Sequence, residues 1–155
     1  QDHLDWHVFC LYALTNKGFE NGVSFDTLGD LKRTIQLNEK CFGFGPHAVL
    51  VTKPQQFLAR ARGALEKLNC TWRMNLVDYY DETTFHGEFA DSDVPFRKRR
   101  RYELQREYRI AFQPDETPTG PFTLDVGDLS DVTTTIPTDK FNEALSVSLP
   151  DGTSA

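Results

Sequence analysis

The chain has 155 residues, of which 39% are hydrophobic and 12% aromatic, and its formal net charge at pH 7 is -6. This length suits one core, so we expect a single domain over residues 1–145 and a frayed tail over residues 146–155. The acidic balance excludes a surface that engages nucleic-acid phosphates throughout. Cys10, Cys41 and Cys70 lack disulfide or zinc spacing, and no apolar run is long enough to span a membrane. We therefore expect a cytoplasmic protein with reduced thiols.

The first half of the chain contains two strand patterns and two helix patterns. Trp6–Leu14 is apolar on both alternating faces, which predicts a central strand covered on two sides. Phe25–Leu37 has a helical period behind Asp26 as the N-cap. His47–Thr52 is typical of a short buried strand, and Pro54–Asn69 gives the strongest helix pattern. The predicted core positions of the two helices are Phe25, Leu28, Leu31 and Ile35 in the first, and Phe57, Leu58, Ala61, Leu65 and Leu68 in the second.

The second half of the chain has mainly strand patterns. Asn75–Tyr80 resumes β character, and the acidic residues 81–95 predict a long loop. From Tyr102 to Phe112 apolar residues occupy even positions and polar residues occupy odd ones, which predicts a strand with one core face. Residues 121–127 and 131–137 are further strand candidates. Strand and helix patterns do not alternate regularly, so we expect an α+β fold, in which one or two amphipathic helices pack on a mixed or antiparallel sheet.

The predicted strand carries Gln105 and Glu107 on one face, because residues two apart on a strand point the same way. This Gln-x-Glu pair resembles the acidic-strand motif of the ADP-ribosyltransferases. The resemblance implies NAD as cofactor, with Glu107 stabilising an oxocarbenium-like transition state and Gln105 orienting the acceptor. It also implies that His7 and either Tyr79 or Tyr80 hold the dinucleotide.

The same strand has two other interpretations. One is a solvated polar face with an ion pair between Glu107 and Arg109. The other is a resemblance that runs through FCLYAL, VDYYD, YELQREYRI and GDLSDV to a loose group of uncharacterised bacterial and prophage proteins, some associated with abortive infection. The mark of that group is Tyr-x-x-Gln-x-Glu-x-Arg, here Tyr102, Gln105, Glu107 and Arg109. This resemblance implies a role in phage–host conflict and names no cofactor.

Five consecutive basic residues precede the predicted strand, namely Arg97, Lys98, Arg99, Arg100 and Arg101. This basic run can clamp the phosphates of a nucleic acid, with aromatic rings nearby for stacking. Alternatively, it neutralises the acidic loop directly before it. That loop carries Glu82, Glu88, Asp91 and Asp93.

The loop before the basic run also holds chemically able side chains. His86 and Glu88 can act as a base and its orienting carboxylate, or they are ordinary polar decoration of a loop. No metal-ligand spacing is recognisable, so we predict no metal site. Phe85, Phe89 and Phe96 can anchor a protein interface, or they pin the loop to the domain.

These patterns favour a bacterial or phage-encoded regulatory or conflict protein that binds a macromolecule. The predicted contact surface runs from Phe85 to Arg101 and includes His86 and Glu88. A protein partner is the first expectation, and a nucleic acid bound through the basic run is the second. The alternative is an ADP-ribosyltransferase-like enzyme that uses NAD.

Overall fold

The computed structural model describes residues 6–115, 120–150 and 152. Its helices and strands give an α+β fold, which confirms the predicted class. The chain groups into two compact units, one formed by residues 1–13 and 50–134 and the other by residues 14–49 and 135–155. The predicted domain limits stay a prediction, and residues 151 and 153–155 of the predicted tail lie outside the described residues.

In chain order, the helices and strands are β1 (His7–Tyr12), α1 (Phe25–Ile35), β2 (His47–Val51), α2 (Pro54–Leu65), β3 (Cys70–Leu76), β4 (Asp78–Tyr80), β5 (Arg97–Arg99), β6 (Glu107–Pro114), β7 (Thr133–Pro137) and α3 (Phe141–Ala144). Short 3-10 helices occupy Glu39–Phe44, Val94–Phe96, Arg100–Gln105 and Thr138–Lys140. Residues 121–127, a predicted strand, are irregular. No helix in the described part of the chain is long and apolar enough to cross a membrane.

The first unit is built on an antiparallel sheet in the strand order β1-β6-β3. The prediction that the first strand is central is wrong, because β6 pairs on both sides, whereas β1 pairs with β6 alone among the strands of the described residues. The register with β1 runs without interruption from His7 opposite Phe112 to Tyr12 opposite Glu107. The prediction that this strand is covered on two sides is also wrong, because Val8, Phe9 and Cys10 are exposed. The apolar composition of β1 contains no information on how many strands lie beside it. The first unit also contains a short parallel pair of strands, β4 with β5.

The predicted strand from Tyr102 to Phe112 begins only at Glu107. The residues before it form the 3-10 helix Arg100–Gln105, and Arg106 then adopts a left-handed backbone conformation with φ 41°. The N–H of Arg106 bonds to the carbonyl of Glu103 at 3.1 Å. Gln105 and Glu103 therefore do not share a strand face with Glu107. A short alternating pattern does not reveal where pairing with neighbouring strands starts.

The core of the first unit lies between α2 and the even-numbered face of β6. Pro54 begins the helix, where its missing N–H costs no hydrogen bond. The buried residues of this core are Phe57, Ala61, Leu65, Ile110, Phe112 and Val132. The helical period of α2 and the alternation of β6 therefore predicted this contact correctly.

The second unit contains α1, the 3-10 helix Glu39–Phe44 and α3. Ser24, and not Asp26, is the N-cap of α1, and its N–H donates to Oγ1 of Thr27 at 2.9 Å. Leu28 is buried as predicted, whereas Phe25 is exposed. Farther along, Asn142 bonds to both the N–H and the carbonyl of Leu37, at 2.8 and 2.9 Å.

The α2–β6 core predicts a large effect of Leu65→Ala. Leu65 is 0% exposed, so its truncation leaves a cavity and should lower the free energy of unfolding by about 2–5 kcal/mol. Leu76→Ala is the matched control, because Leu76 is 47% exposed and should change stability far less. Urea denaturation of both variants measures the difference. Equal losses would contradict the assignment of the core.

Candidate functional site

A buried carboxylate lies at the start of β6, on the face opposite α2. Glu107 is 7% exposed. Its Oε1 accepts a hydrogen bond from the Lys98 ammonium, and its Oε2 accepts one from Nε of Arg109 at 2.6 Å. The backbone N–H of Glu107 donates to the hydroxyl of Tyr79 at 2.9 Å. We call Glu107, Lys98, Arg109 and Tyr79 the Glu107 network.

The surroundings of the Glu107 network explain why this polar face is not solvated. The 3-10 helix Val94–Phe96 packs against β6, with Pro95 and Phe96 buried. Nη1 of Arg109 donates to the carbonyl of Pro95 at 2.5 Å. Because a buried charge is costly unless it is paired and hydrogen-bonded, the two cations are needed for the carboxylate to be tolerated here. The predicted Glu107–Arg109 ion pair exists, but it is buried and not solvated.

The electrostatics of the site keep Glu107 ionised. Burial by itself would raise its pKa, but hydrogen bonds and charges from Lys98 and Arg109 outweigh burial and hold the pKa of Glu107 below its usual value. Burial also raises the pKa of the Tyr79 hydroxyl, which stays protonated at neutral pH. Both carboxylate oxygens are thus engaged by cations of the chain itself. A ribose hydroxyl or a proton at Glu107 would compete with these contacts.

The residues implied by the ADP-ribosyltransferase resemblance are only partly brought together. Gln105 reaches Glu107 through Lys98, which donates to both side chains. His7 lies opposite Phe112, five residues farther along β6 than Glu107 and on the other face of the sheet, about 17 Å away along the strand. The His7 ring stacks on Phe112 with centroids 5.3 Å apart. His7, which the resemblance assigns to dinucleotide binding, therefore does not lie beside Glu107.

Internal partners occupy most of the basic run. Arg97 pairs with Asp78, and Lys98 pairs with Glu107. Arg100 lies 3.7 Å from Asp81, and Arg101 lies 3.7 Å from Glu82. Arg99 is exposed, and no ion pair or hydrogen bond of its side chain occurs among residues 6–115, 120–150 and 152. The pairing favours the neutralising interpretation over a continuous phosphate clamp. Nucleic-acid binding through this run stays a prediction.

Aromatic rings hold the loop after β4 in place. Phe85 and Phe89 stack with centroids 4.3 Å apart, and both contact Tyr80, at 5.4 and 5.0 Å. The Arg97 guanidinium lies 5.2 Å from the Phe89 centroid. Because the rings are half-buried in this cluster, they pin the loop, which was one of the two predicted roles.

The remaining loop candidates do not form a site. His86 and Glu88 are exposed, and the described residues show no hydrogen bond between their side chains, so the predicted base and orienting carboxylate are not paired. Across the described part of the chain, no group of three or more His, Cys, Asp or Glu side chains could hold a metal ion.

The outer edge of β1 is a feature that the sequence patterns did not predict. The N–H of Ala13 donates to the carbonyl of Arg106 at 2.8 Å. The backbone N–H and carbonyl groups of the odd-numbered residues of β1 therefore point towards β6. The N–H and carbonyl groups of Val8 and Cys10 therefore point outward, and they have no partner within the described ranges. Val8 is 41% and Phe9 53% exposed. We call Val8, Phe9 and Cys10 the β1 edge.

The two edges of the sheet differ in protection. At the β3 edge, Arg73 supplies a charge, and the N–H of Leu76 donates to Oδ1 of its neighbour Asn75 at 2.8 Å. The outward backbone groups of Trp72 and Met74 on that edge, like those of Val8 and Cys10, have no partner among the described residues. β1 has no Asp, Glu, Lys, Arg or Pro in its sequence HVFCLY, and its pairing with β6 has no bulge. Natural edge strands are usually protected by charges, prolines or bulges. The β1 edge is thus open to pairing with another strand.

An apolar pocket of about 560 Å³ adjoins the β1 edge. Its lining includes His7, Phe9, Phe57, Phe112, Phe122 and Leu129. The His7 ring contributes a polar group to walls that are otherwise mainly hydrophobic. Pockets of roughly 300–1,000 Å³ with such walls are typical of sites that receive an apolar ligand or side chain.

The Glu107 network predicts that Glu107→Gln is strongly destabilising. The neutral amide leaves Lys98 and Arg109 with no counter-charge in a mostly buried site, which should lower the free energy of unfolding by about 3 kcal/mol. Glu103→Gln is the control, because Glu103 is exposed and its ion pair with Arg100 is long, at 3.9 Å. This substitution should lower the free energy of unfolding by less than about 1 kcal/mol. Chemical denaturation compares the two. A similar loss for both would contradict the proposed importance of burial.

The lowered pKa of Glu107 predicts a pH dependence. Its contribution to stability is complete above the ordinary glutamate pKa of 4.5 and is lost as pH falls through the lower pKa of the folded state. The difference in free energy of unfolding between wild type and Glu107→Gln should therefore shrink below about pH 4.5. Other carboxylates, such as Asp81, titrate in both proteins, so their contributions cancel in this difference. A difference that stays constant down to acid denaturation would be inconsistent with this prediction.

Comparisons of the chain with protein-family models, curated proteins and solved structures gave no significant match.

Proposed function

We propose that this chain is a protein-binding module that takes up an extended segment of a partner protein at the β1 edge. The observation that carries the proposal is the unprotected state of that edge, where backbone groups of Val8 and Cys10 point outward beside exposed apolar side chains. When a strand is added to a sheet, main-chain hydrogen bonds provide affinity and pockets for alternate side chains provide specificity.

The apolar pocket supports the same function. It lies on the face of the sheet that carries His7 and Phe9, so alternate side chains of an added strand would be directed towards its mouth. Since the strand HVFCLY has no acidic, Lys or Arg side chain, a partner segment with apolar residues at alternate positions fits best. A charged side chain placed there would lose its hydration without gaining a counter-charge.

The proposed class of function is the one expected from the sequence, whereas the surface is different. The β1 edge replaces the Phe85–Arg101 surface, because most cations of that region have acidic partners and its rings stack on one another. The resemblance to prophage and abortive-infection proteins supports a bacterial regulatory or phage-conflict setting in the cytoplasm. Under this proposal, binding needs no cofactor.

Phe9→Lys should abolish partner binding, because a charge on the β1 edge opposes strand addition. The tagged chain is expressed in its host cells, and proteins other than the chain itself are quantified after native purification. We expect at least about a tenfold loss of the partner with Phe9→Lys.

Phe44→Lys is the matched control, because Phe44 is 73% exposed and lies outside β1. Circular dichroism and thermal unfolding establish that both variants are folded. Equal recovery of partners with the two folded variants would refute binding at the β1 edge.

A further inference from the structure

We infer that the segment which pairs with the β1 edge is β1 of a second copy of this chain, so that two sheets join across a two-fold axis. This inference rests on the protein-binding function proposed for the same edge. It names the partner and the alignment of the two strands.

The outward backbone groups of β1 are self-complementary. Val8 and Cys10 each present one N–H and one carbonyl to the outside. In an antiparallel arrangement centred on Phe9, Val8 of one copy lies opposite Cys10 of the other, and the reverse pair is related by the two-fold axis. Each of these two pairs exchanges two hydrogen bonds. The open backbone groups of Val8 and Cys10 in both copies are thereby satisfied.

The side chains are compatible with the same alignment. Phe9 lies opposite Phe9 of the second copy, and His7 lies opposite Leu11 of the second copy, all on the face that carries the apolar pocket. On the other face, Val8 lies opposite Cys10. Aromatic and apolar cross-strand pairs of this kind stabilise antiparallel sheets. No pair in the alignment sets an apolar side chain against a carboxylate, Lys or Arg.

Charge and edge protection determine how many copies can join. The chain carries a formal charge of -6, so two copies repel each other at long range, but β1 itself contributes no Asp, Glu, Lys or Arg to a close contact. The β3 edge carries Arg73, whose charge opposes strand addition there. A two-fold pairing of β1 with β1 uses the same edge of both copies and therefore closes at a dimer.

Sedimentation velocity of the purified full chain tests the inference over concentrations from about 1 to about 500 µM. A contact through one strand is smaller than the standard interface of about 800 Å² per partner, so we expect a weak, concentration-dependent monomer–dimer equilibrium. Phe9→Lys should raise the dissociation constant by at least about tenfold. Phe44→Lys should leave it unchanged, since Phe44 lies outside β1.

Cys10→Pro provides a second test that does not add a charge. The N–H of Cys10 points outward, so proline removes a hydrogen bond between the copies and none within the sheet. We expect this variant to remain folded by circular dichroism and to lose the dimer. A folded Cys10→Pro variant that dimerises like wild type would overturn the proposed alignment.

The remaining outcomes separate this inference from the function on which it rests. A wild-type chain that stays monomeric throughout, or that forms larger assemblies, overturns the closed dimer. If the wild-type chain is instead monomeric but binds a different protein that the Phe9→Lys variant does not bind, strand addition at the β1 edge stands. In that case only the second copy is excluded as the partner. If it neither dimerises nor loses a partner, both proposals fail.

Discussion

The carboxylate of Glu107 is the interaction on which the arrangement of the first unit depends. It is buried where β6 begins, and it is compensated by Lys98 from β5 and by Arg109 from β6 itself. Arg109 also donates to the carbonyl of Pro95, and the hydroxyl of Tyr79 accepts a hydrogen bond from the backbone N–H of Glu107. Three separate segments, namely β4, residues 95–98 and β6, thus meet around Glu107. Removing the charge would leave cations without a partner in a largely dry site, which is why the network has high energetic weight.

This network also changes the meaning of the basic run. The sequence shows five cations side by side, which suggests a surface for phosphates. The fold instead turns Lys98 inward to Glu107 and sets Arg97, Arg100 and Arg101 near acidic residues of β4 and the following loop. Much of the positive potential is therefore compensated locally, and a carboxylate that resembles a catalytic residue is held by its own neighbours. The contacts of Glu107 thus stabilise the first unit.

The open edge of β1 is a consequence of the same sheet. Because β6 occupies the centre, β1 and β3 become the two edges of the three-stranded sheet. The β3 edge carries the charge of Arg73 and the contact between Asn75 and the N–H of Leu76, whereas β1 has no Asp, Glu, Lys or Arg and exposes Val8, Phe9 and outward backbone groups. An uncharged strand with free hydrogen-bonding groups is the kind of surface that soluble proteins avoid unless another chain pairs with it. The proposed binding function and the proposed dimer both follow from this asymmetry.

The sequence by itself determined the local features whose pattern is strong. The helical period of α2 and the even-numbered apolar positions of β6 predicted the core between Leu65 and Ile110, because side-chain direction follows directly from backbone period. The tendency of Glu107 to pair with Arg109 was also visible, since the two residues lie on one face of a strand. The α+β class followed from the order of these patterns.

Only the tertiary structure decided which strand is central, where β6 starts and which acids meet the basic run. The strand HVFCLY looks the same at an edge as in the middle of a sheet, because its composition contains no information about its neighbours. The left-handed Arg106 separates Gln105 from the strand of Glu107, and Lys98 reunites them through space. His7 and Glu107 lie on opposite faces of the sheet, because His7 pairs with the even-numbered Phe112. This separation depends on the register between β1 and β6, which the sequence does not show. These features arise from pairing between distant segments, and local sequence preferences do not specify such pairing.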